Sequence, residues 1–337
     1  MIESILAYGI WVAIIFIIVG FIALVKGADW LVDGASAIAK QFGISDLVIG
    51  LTVVAFGTSM PEFVVNMVSV VEGSTDLAIT NILGSNIINT FVILGLTAII
   101  YPIVSQKRSL DFDIPLSIIA GIFVFAAVTI QLPLGENERG IGRLGGIILL
   151  SLFCYFLYNT FRHAKDNPDE AQSNMQVGDI KEIPVRRAIA LLLCGFVGLV
   201  VGGELIVKSA VDIATRCGVS QAIIGLTIVA LGTSLPELAT SVIAAFKHNC
   251  DIALGNVIGS NIFNVFFVLG TSATISPLPA YDGIELDAIM VALGSIIVWL
   301  SVKTNRERKV QRWAGALLLI IYSGYLAYRL MNVGITL

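Results

Sequence analysis

Two acidic residues stand alone in long apolar stretches, and each follows a proline. In "GLTVVAFGTSMPEFVVNMVSVV" (50–71) Glu62 is the only charged residue between Leu47 and Val71. In "GLTIVALGTSLPELATSVIAAF" (225–246) Glu237 is the only one between Gln221 and Phe246. A carboxylate at the centre of a membrane helix costs about 2.5–3.5 kcal/mol on insertion scales. Two in matching settings therefore need a ligand or a partner. Pro61 and Pro236 lack an N–H, which removes the helical donors for the carbonyls of Gly57 and Gly232. Unpaired carbonyls at membrane depth are tolerated only inside protein or on a cavity wall. Carboxylate, freed carbonyl and the hydroxyls of Thr58, Ser59, Thr233 and Ser234 form clusters of hard oxygen donors. Calcium takes about six to eight such oxygens.

A second pair of segments adds to the donor set. "NILGSNIIN" (81–89) and "NVIGSNIFN" (256–264) place Ser85 with Asn89, and Ser260 with Asn264, on one helical face, with Asn81 and Asn256 a turn further back. These residues are either ligands or hydrogen-bonding groups between packed helices, where Gly84 and Gly259 would allow close approach. The serines are the better ligand candidates. Two carboxylates match the charge of one calcium ion, and the same charge among many neutral oxygens also suits several monovalent cations. Competition for shared oxygens is a sufficient basis for exchange.

The elements that hold these residues are membrane helices. The chain is 57% hydrophobic and 13% charged, against about 45–50% and about 25% in soluble domains. Apolar runs near the roughly 20 residues of a membrane helix predict ten spans. They lie near 6–26, 46–72, 76–101, 112–131, 141–161, 187–207, 220–246, 251–276, 284–302 and 312–331. Polar extensions with helical spacing follow the first and sixth. Of the 20 Lys and Arg, fifteen fall on the side of the 162–187 linker. The positive-inside rule then puts the linker in the cytoplasm and both termini outside.

Sliding the sequence by 175 residues superposes both motifs on their copies, with 24 of 53 positions identical between 43–95 and 218–270. Matching of whole polar motifs marks an internal duplication. Five spans separate each helix from its copy, so the copies cross the membrane in opposite directions. The expected fold is all-α and polytopic: ten transmembrane helices as two inverted five-helix repeats, 1–161 and 187–337, joined by the cytoplasmic linker 162–186. Such repeats are frequent in secondary transporters, with the substrate site near the midplane between them.

Other signals are weaker. The four cysteines form no CxxC pair and read as packing residues. No cleavable leader is evident, so the first run is expected to remain a span. Asp29 and Glu204, related by the same shift, read as solvated or gate-flanking groups, and Asp76 and Asp251 as helix N-terminal caps.

"GTSMPE" with "LGSNIIN", repeated as "GTSLPE" with "IGSNIFN", resembles the two α-repeats of the calcium/cation antiporter superfamily, particularly its sodium/calcium exchanger branch of prokaryotic type. The resemblance covers the whole chain. It implies calcium between Glu62 and Glu237, with the backbone carbonyls of Thr58 and Thr233. It implies sodium there and at flanking sites lined by Ser59, Ser85, Ser234, Ser260 and carbonyls near Ala55 and Ala230, with the first and sixth spans sliding across the other eight. Many relatives carry Asp where this chain has Asn264, an acid associated in some with potassium co-transport. Asn at both Asn89 and Asn264 points away from potassium dependence, and the short linker points away from a cytoplasmic calcium-sensing domain.

The expected function is calcium-for-sodium antiport across the cell (inner) membrane, in contact with lipid, without catalysis, cofactor, nucleic acid or an obligatory protein partner. The alternatives are a proton-coupled calcium or other divalent-cation antiporter and, in other classes, a cation channel or an intramembrane hydrolase. The inverted repeat disfavours a channel. A hydrolase would need a nucleophile–base pair or a metal–His set, and only Ser and Glu sit centrally.

Overall fold

The computed structural model describes residues 9–130, 139–166, 183–218, 230–281 and 283–332. The chain enters through α1 (Ile10–Phe42), then turns at Gly43 in the left-handed conformation. The next span is broken: α2 (Asp46–Thr58) and α3 (Met60–Val71) meet at Ser59 with a bend of 45°. There follow α4 (Thr75–Ile100), α5 (Ser109–Thr129), α6 (Arg143–Asp166) and α7 (Val185–Arg216). The second half continues with α8 (Ala230–Thr233), α9 (Leu235–Phe246), α10 (Cys250–Ile275), α11 (Ile284–Thr304) and α12 (Arg312–Asn332). Among the described residues eight helices are long and apolar enough to cross a membrane, and the bent pair makes a ninth. The expected span at 220–246 is seen from residue 230 on; its first part, like most of the 162–186 linker, lies outside the described residues.

The polar extensions of the first and sixth spans continue their helices without interruption. At about 1.5 Å per residue, the 33 residues of α1 reach about 50 Å, beyond the roughly 30 Å hydrocarbon layer. α1 and α7 lie antiparallel in a glycine seam: Gly20 faces Gly202 and Ile206, Gly27 faces Gly195 and Leu199, and Gly34 faces Ala188 and Leu192. A Cβ on Gly27 would stand 2.7 Å from the Leu199 nitrogen, so only glycine permits this approach. The outer faces of these helices carry Trp11, Ile15, Ile18, Ile22, Leu193 and Val197, all exposed, as suits lipid contact.

α4 and α10 form the buried centre. They are antiparallel: the start of α10 meets the chain leaving α4, where Cys250 Sγ donates to the Pro102 carbonyl at 3.8 Å and Gln106 Nε2 to Asp251 Oδ2 at 2.6 Å. Each helix widens into a π turn at corresponding positions, Ile88–Ile93 and Phe263–Leu269. Such turns re-aim side chains and gather at functional sites. Two short bridges close the ends: β1 (Ile103–Val104) pairs with β4 (Lys309–Val310), and β2 (Gly140–Ile141) with β3 (Leu278–Pro279).

Some local expectations are corrected. The caps of α4 and α10 are Ser74 and Asn249. Asp76 and Asp251 sit two positions further in, within the first turn, where a carboxylate still suits the helix dipole. Asn249 Oδ1 takes the Ile252 N–H at 3.0 Å, the bond expected of Asp251. Gly259 does allow close approach, its Cβ position lying 2.7 Å from the Leu51 carbonyl oxygen, whereas Gly84 has open space among the described residues.

Candidate functional site

The break before each glutamate has one geometry in both halves. Ser59 has φ −85° and ψ 5°, Ser234 φ −87° and ψ 6°, in the sparsely populated bridge region. Pro61 and Pro236 are the second residues of α3 and α9, where a helix needs no N–H from them. Glu62 and Glu237 therefore lie in the first turn of a helix whose N-terminal dipole favours negative charge. Both are fully buried.

The halves are crossed. Ser59 Oγ donates to Glu237 Oε1 at 2.8 Å, while Ser234 Oγ donates to Glu62 Oε1 at 3.5 Å. Each serine thus serves the carboxylate of the opposite half, which brings Glu62 and Glu237 into one polar cluster. Ser260 Oγ also donates to Glu237 Oε1, at 3.3 Å. Thr58 Oγ1 donates to Asn256 Oδ1 at 3.0 Å, and Asn256 Nδ2 in turn donates to Ser241 Oγ at 2.9 Å and to the Glu237 carbonyl at 3.3 Å.

Around these bonds several buried oxygens have no hydrogen-bond partner among the described residues: Glu62 Oε2, Glu237 Oε2, Ser85 Oγ, Asn89 Oδ1 and Asn264 Oδ1. A buried polar group left unpaired costs about 1–3 kcal/mol, and more when charged. Acceptors gathered in this way suit a bound cation. Asn264 Nδ2 donates to Asn86 Oδ1 at 3.1 Å, and Asn86 Nδ2 to the Asn261 carbonyl at 3.1 Å, so the second motif also packs α4 on α10. The Ala55 carbonyl is engaged, accepting the Ser59 N–H at 3.0 Å and Thr58 Oγ1 at 3.3 Å. Ala230 opens α8, and its side chain is outside the described residues. Phe63 of α3 packs with Phe153, Phe263 and Phe267, ring centroids 4.9–5.8 Å apart, in an apolar cluster.

Sequence reasoning missed Asn66, Ser241 and Thr240, all fully buried near the carboxylates. Asn66 and Ser241 hold equivalent places four residues beyond the glutamates, and that spacing was the available signal. Asp29 pairs with Lys247 at 2.7 Å, joined by Asp33 at 2.6 Å, and Glu204 pairs with Lys208 at 2.7 Å. These pairs lie on the exposed parts of their helices. A separate anchor surrounds Asp287, which accepts from Tyr281 at 2.5 Å, Tyr325 at 2.8 Å and Arg329 at 3.3 Å. Burial pushes the Tyr281 hydroxyl up from its ordinary value, which keeps it a donor.

The family model described as sodium/calcium exchanger protein matches residues 12–162 and 187–331. The chain belongs to the sodium/calcium exchanger family. Inner membrane protein YrbG of Escherichia coli is 35% identical over 265 residues, covering 77% of this chain and 79% of YrbG. Sodium/calcium exchanger MaX1 of Methanosarcina acetivorans is 32% identical over 346 residues, covering 94% and 98%. The solved structure of the sodium-calcium exchanger NCX_Mj superposes with a TM-score of 0.80 at 32% identity, covering 95% of this chain and 99% of that one.

Proposed function

We propose that the protein exchanges calcium for sodium across the cell membrane by alternating access, with the ions held near the midplane at Glu62 and Glu237. The observation that carries this reading is the pair of buried carboxylates on broken helices, crossed by serines and edged by unpaired oxygens. Two negative charges neutralise one calcium ion. Sodium ions would take the same charge together with the oxygens of Ser59, Ser85, Ser234 and Ser260, the Thr58 and Thr233 groups, Asn89, Asn264 and the carbonyls near Ala55 and Ala230.

The architecture in this reading is ten spans in two inverted five-helix repeats, 1–161 and 187–337, with the 162–186 linker cytoplasmic and both termini outside. The 175-residue repeat, the matched breaks at Ser59 and Ser234, the matched π turns and the antiparallel α1–α7 and α4–α10 pairs support it. Family membership and the likeness to exchangers named for sodium and calcium support the choice of ions. Asn89 and Asn264 leave the site with two carboxylates, which favours independence from potassium.

Equilibrium binding of radioactive calcium to the purified protein tests the reading. Sodium should displace the calcium, and Glu62→Gln and Glu237→Gln should each abolish its binding. Calcium binding that both variants retain would refute the site.

A further inference from the structure

The two halves of the site share residue types but not hydrogen bonds. Around Glu237 all but Oε2 is bonded: Ser59 at 2.8 Å and Ser260 at 3.3 Å reach Oε1, and Asn256 closes a network joining Thr58, Ser241 and the Glu237 carbonyl. The 175-residue shift turns these residues into Ser234, Ser85, Asn81, Thr233, Asn66 and Glu62. Around Glu62 the matching network is open. Ser234 reaches Glu62 only at 3.5 Å. Among the described residues Ser85 Oγ, Asn81 Nδ2 and Asn66 Oδ1 are buried without partners, and Thr233 Oγ1 makes no bond to Asn81. Asn66 Nδ2 turns instead to the Glu62 carbonyl of its own helix at 3.1 Å.

Asn256 and Asn81 also lie on opposite sides of the carboxylates. Each stands about two turns from the start of its helix, and α4 and α10 are antiparallel. The bonds of the Asn256 network therefore tie the helices together on one side of the carboxylates, while the matching bonds on the other side are not made.

We propose that Asn256 and Asn81 are positioning residues forming two reciprocal clasps, one made at a time, which set the end from which ions reach the site. This rests on the exchange reading. In the conformation described, Asn256 ties α2 to α9 through Thr58 and Ser241 and closes the end at which α10 begins. In the opposite conformation Asn81 ties Thr233 to Asn66 and the Glu62 carbonyl, and Asn256 lets go. The unpaired atoms around Asn81 are the unmade half of that exchange. With the linker cytoplasmic, the Asn256 clasp closes the inner end and the conformation described opens outward.

A ligand or substitution shifts a two-state equilibrium only by its differential effect on the two states. Asn256→Ala removes bonds made in one state and Asn81→Ala bonds made in the other, so their effects must have opposite sign. The test compares half-saturating calcium at the two membrane faces, using right-side-out and inside-out vesicles that contain the full-length protein. Asn256→Ala should improve apparent affinity at the inner face and weaken it at the outer, moving their ratio about tenfold, equal to about 1.4 kcal/mol. Asn81→Ala should move the ratio the other way. Ser241→Ala should move it in the direction of Asn256→Ala by a smaller factor, and it carries the test alone if Asn256→Ala fails to fold. An unmoved ratio, or a ratio moved the same way by both Asn variants, overturns the clasps. Wild-type vesicles without sodium-dependent calcium exchange would instead overturn the functional reading.

Discussion

Replacing Glu237 by Gln keeps the side chain's shape and removes one of two negative charges from the site. The amide oxygen can still accept from Ser59 and Ser260, now 2.8 and 3.3 Å from Oε1, so the local fold should persist. Two unit charges about 4 Å apart interact by about 4 kcal/mol at an effective permittivity of about 20, and a divalent cation doubles that. The remaining amide dipole returns part of the loss. A net penalty of about 4 kcal/mol lowers calcium affinity roughly 10³-fold. Stability should move the other way, because a fully buried like-charged pair is costly in an apolar interior. Calcium uptake into proteoliposomes along an outward sodium gradient should fall to background, while the melting temperature in calcium-free buffer should stay level or rise. Uptake within tenfold of wild type would refute the electrostatic argument. A large fall in melting temperature would mean that Glu237 serves the fold.

Gly27→Ala should destabilise the protein by about 1–3 kcal/mol, read as a lower melting temperature, because its Cβ would meet the Leu199 nitrogen at 2.7 Å. Gly57→Ala should slow calcium uptake, since the new methyl would overlap the Phe196 ring; adding Phe196→Ala should restore part of the rate. Asp287→Ala should cost roughly 3 kcal/mol of stability by stranding Tyr281, Tyr325 and Arg329, with the ion affinity of the surviving folded protein little changed.

The helix breaks were readable because proline has one physical meaning inside a span, and the glutamates because charge is costly there. The repeat was readable because polar motifs matched at a fixed offset. The length of α1 and α7 was only half visible: their extensions are polar, and their continuity depends on the glycine seam between them. Asn66 and Ser241 escaped notice because one Asn or Ser on an apolar helix carries no distinctive period. The asymmetry between the Asn256 and Asn81 networks is invisible in principle, since equivalent residues in two copies carry no record of which copy is closed. Asp113 illustrates another limit: its buried pairing with Arg108 at 3.5 Å depends on the π turn at Ser109–Asp113, which adds a residue to the turn and changes which side chains meet.

In the exchange reading, sodium and calcium compete for one carboxylate pair. Calcium uptake into proteoliposomes, driven in separate experiments by sodium, potassium and pH gradients of equal size, tests it most directly. Uptake should follow the sodium gradient, ignore the potassium gradient, and reverse when the sodium gradient is reversed. Uptake that follows the pH gradient and ignores sodium would contradict the claim.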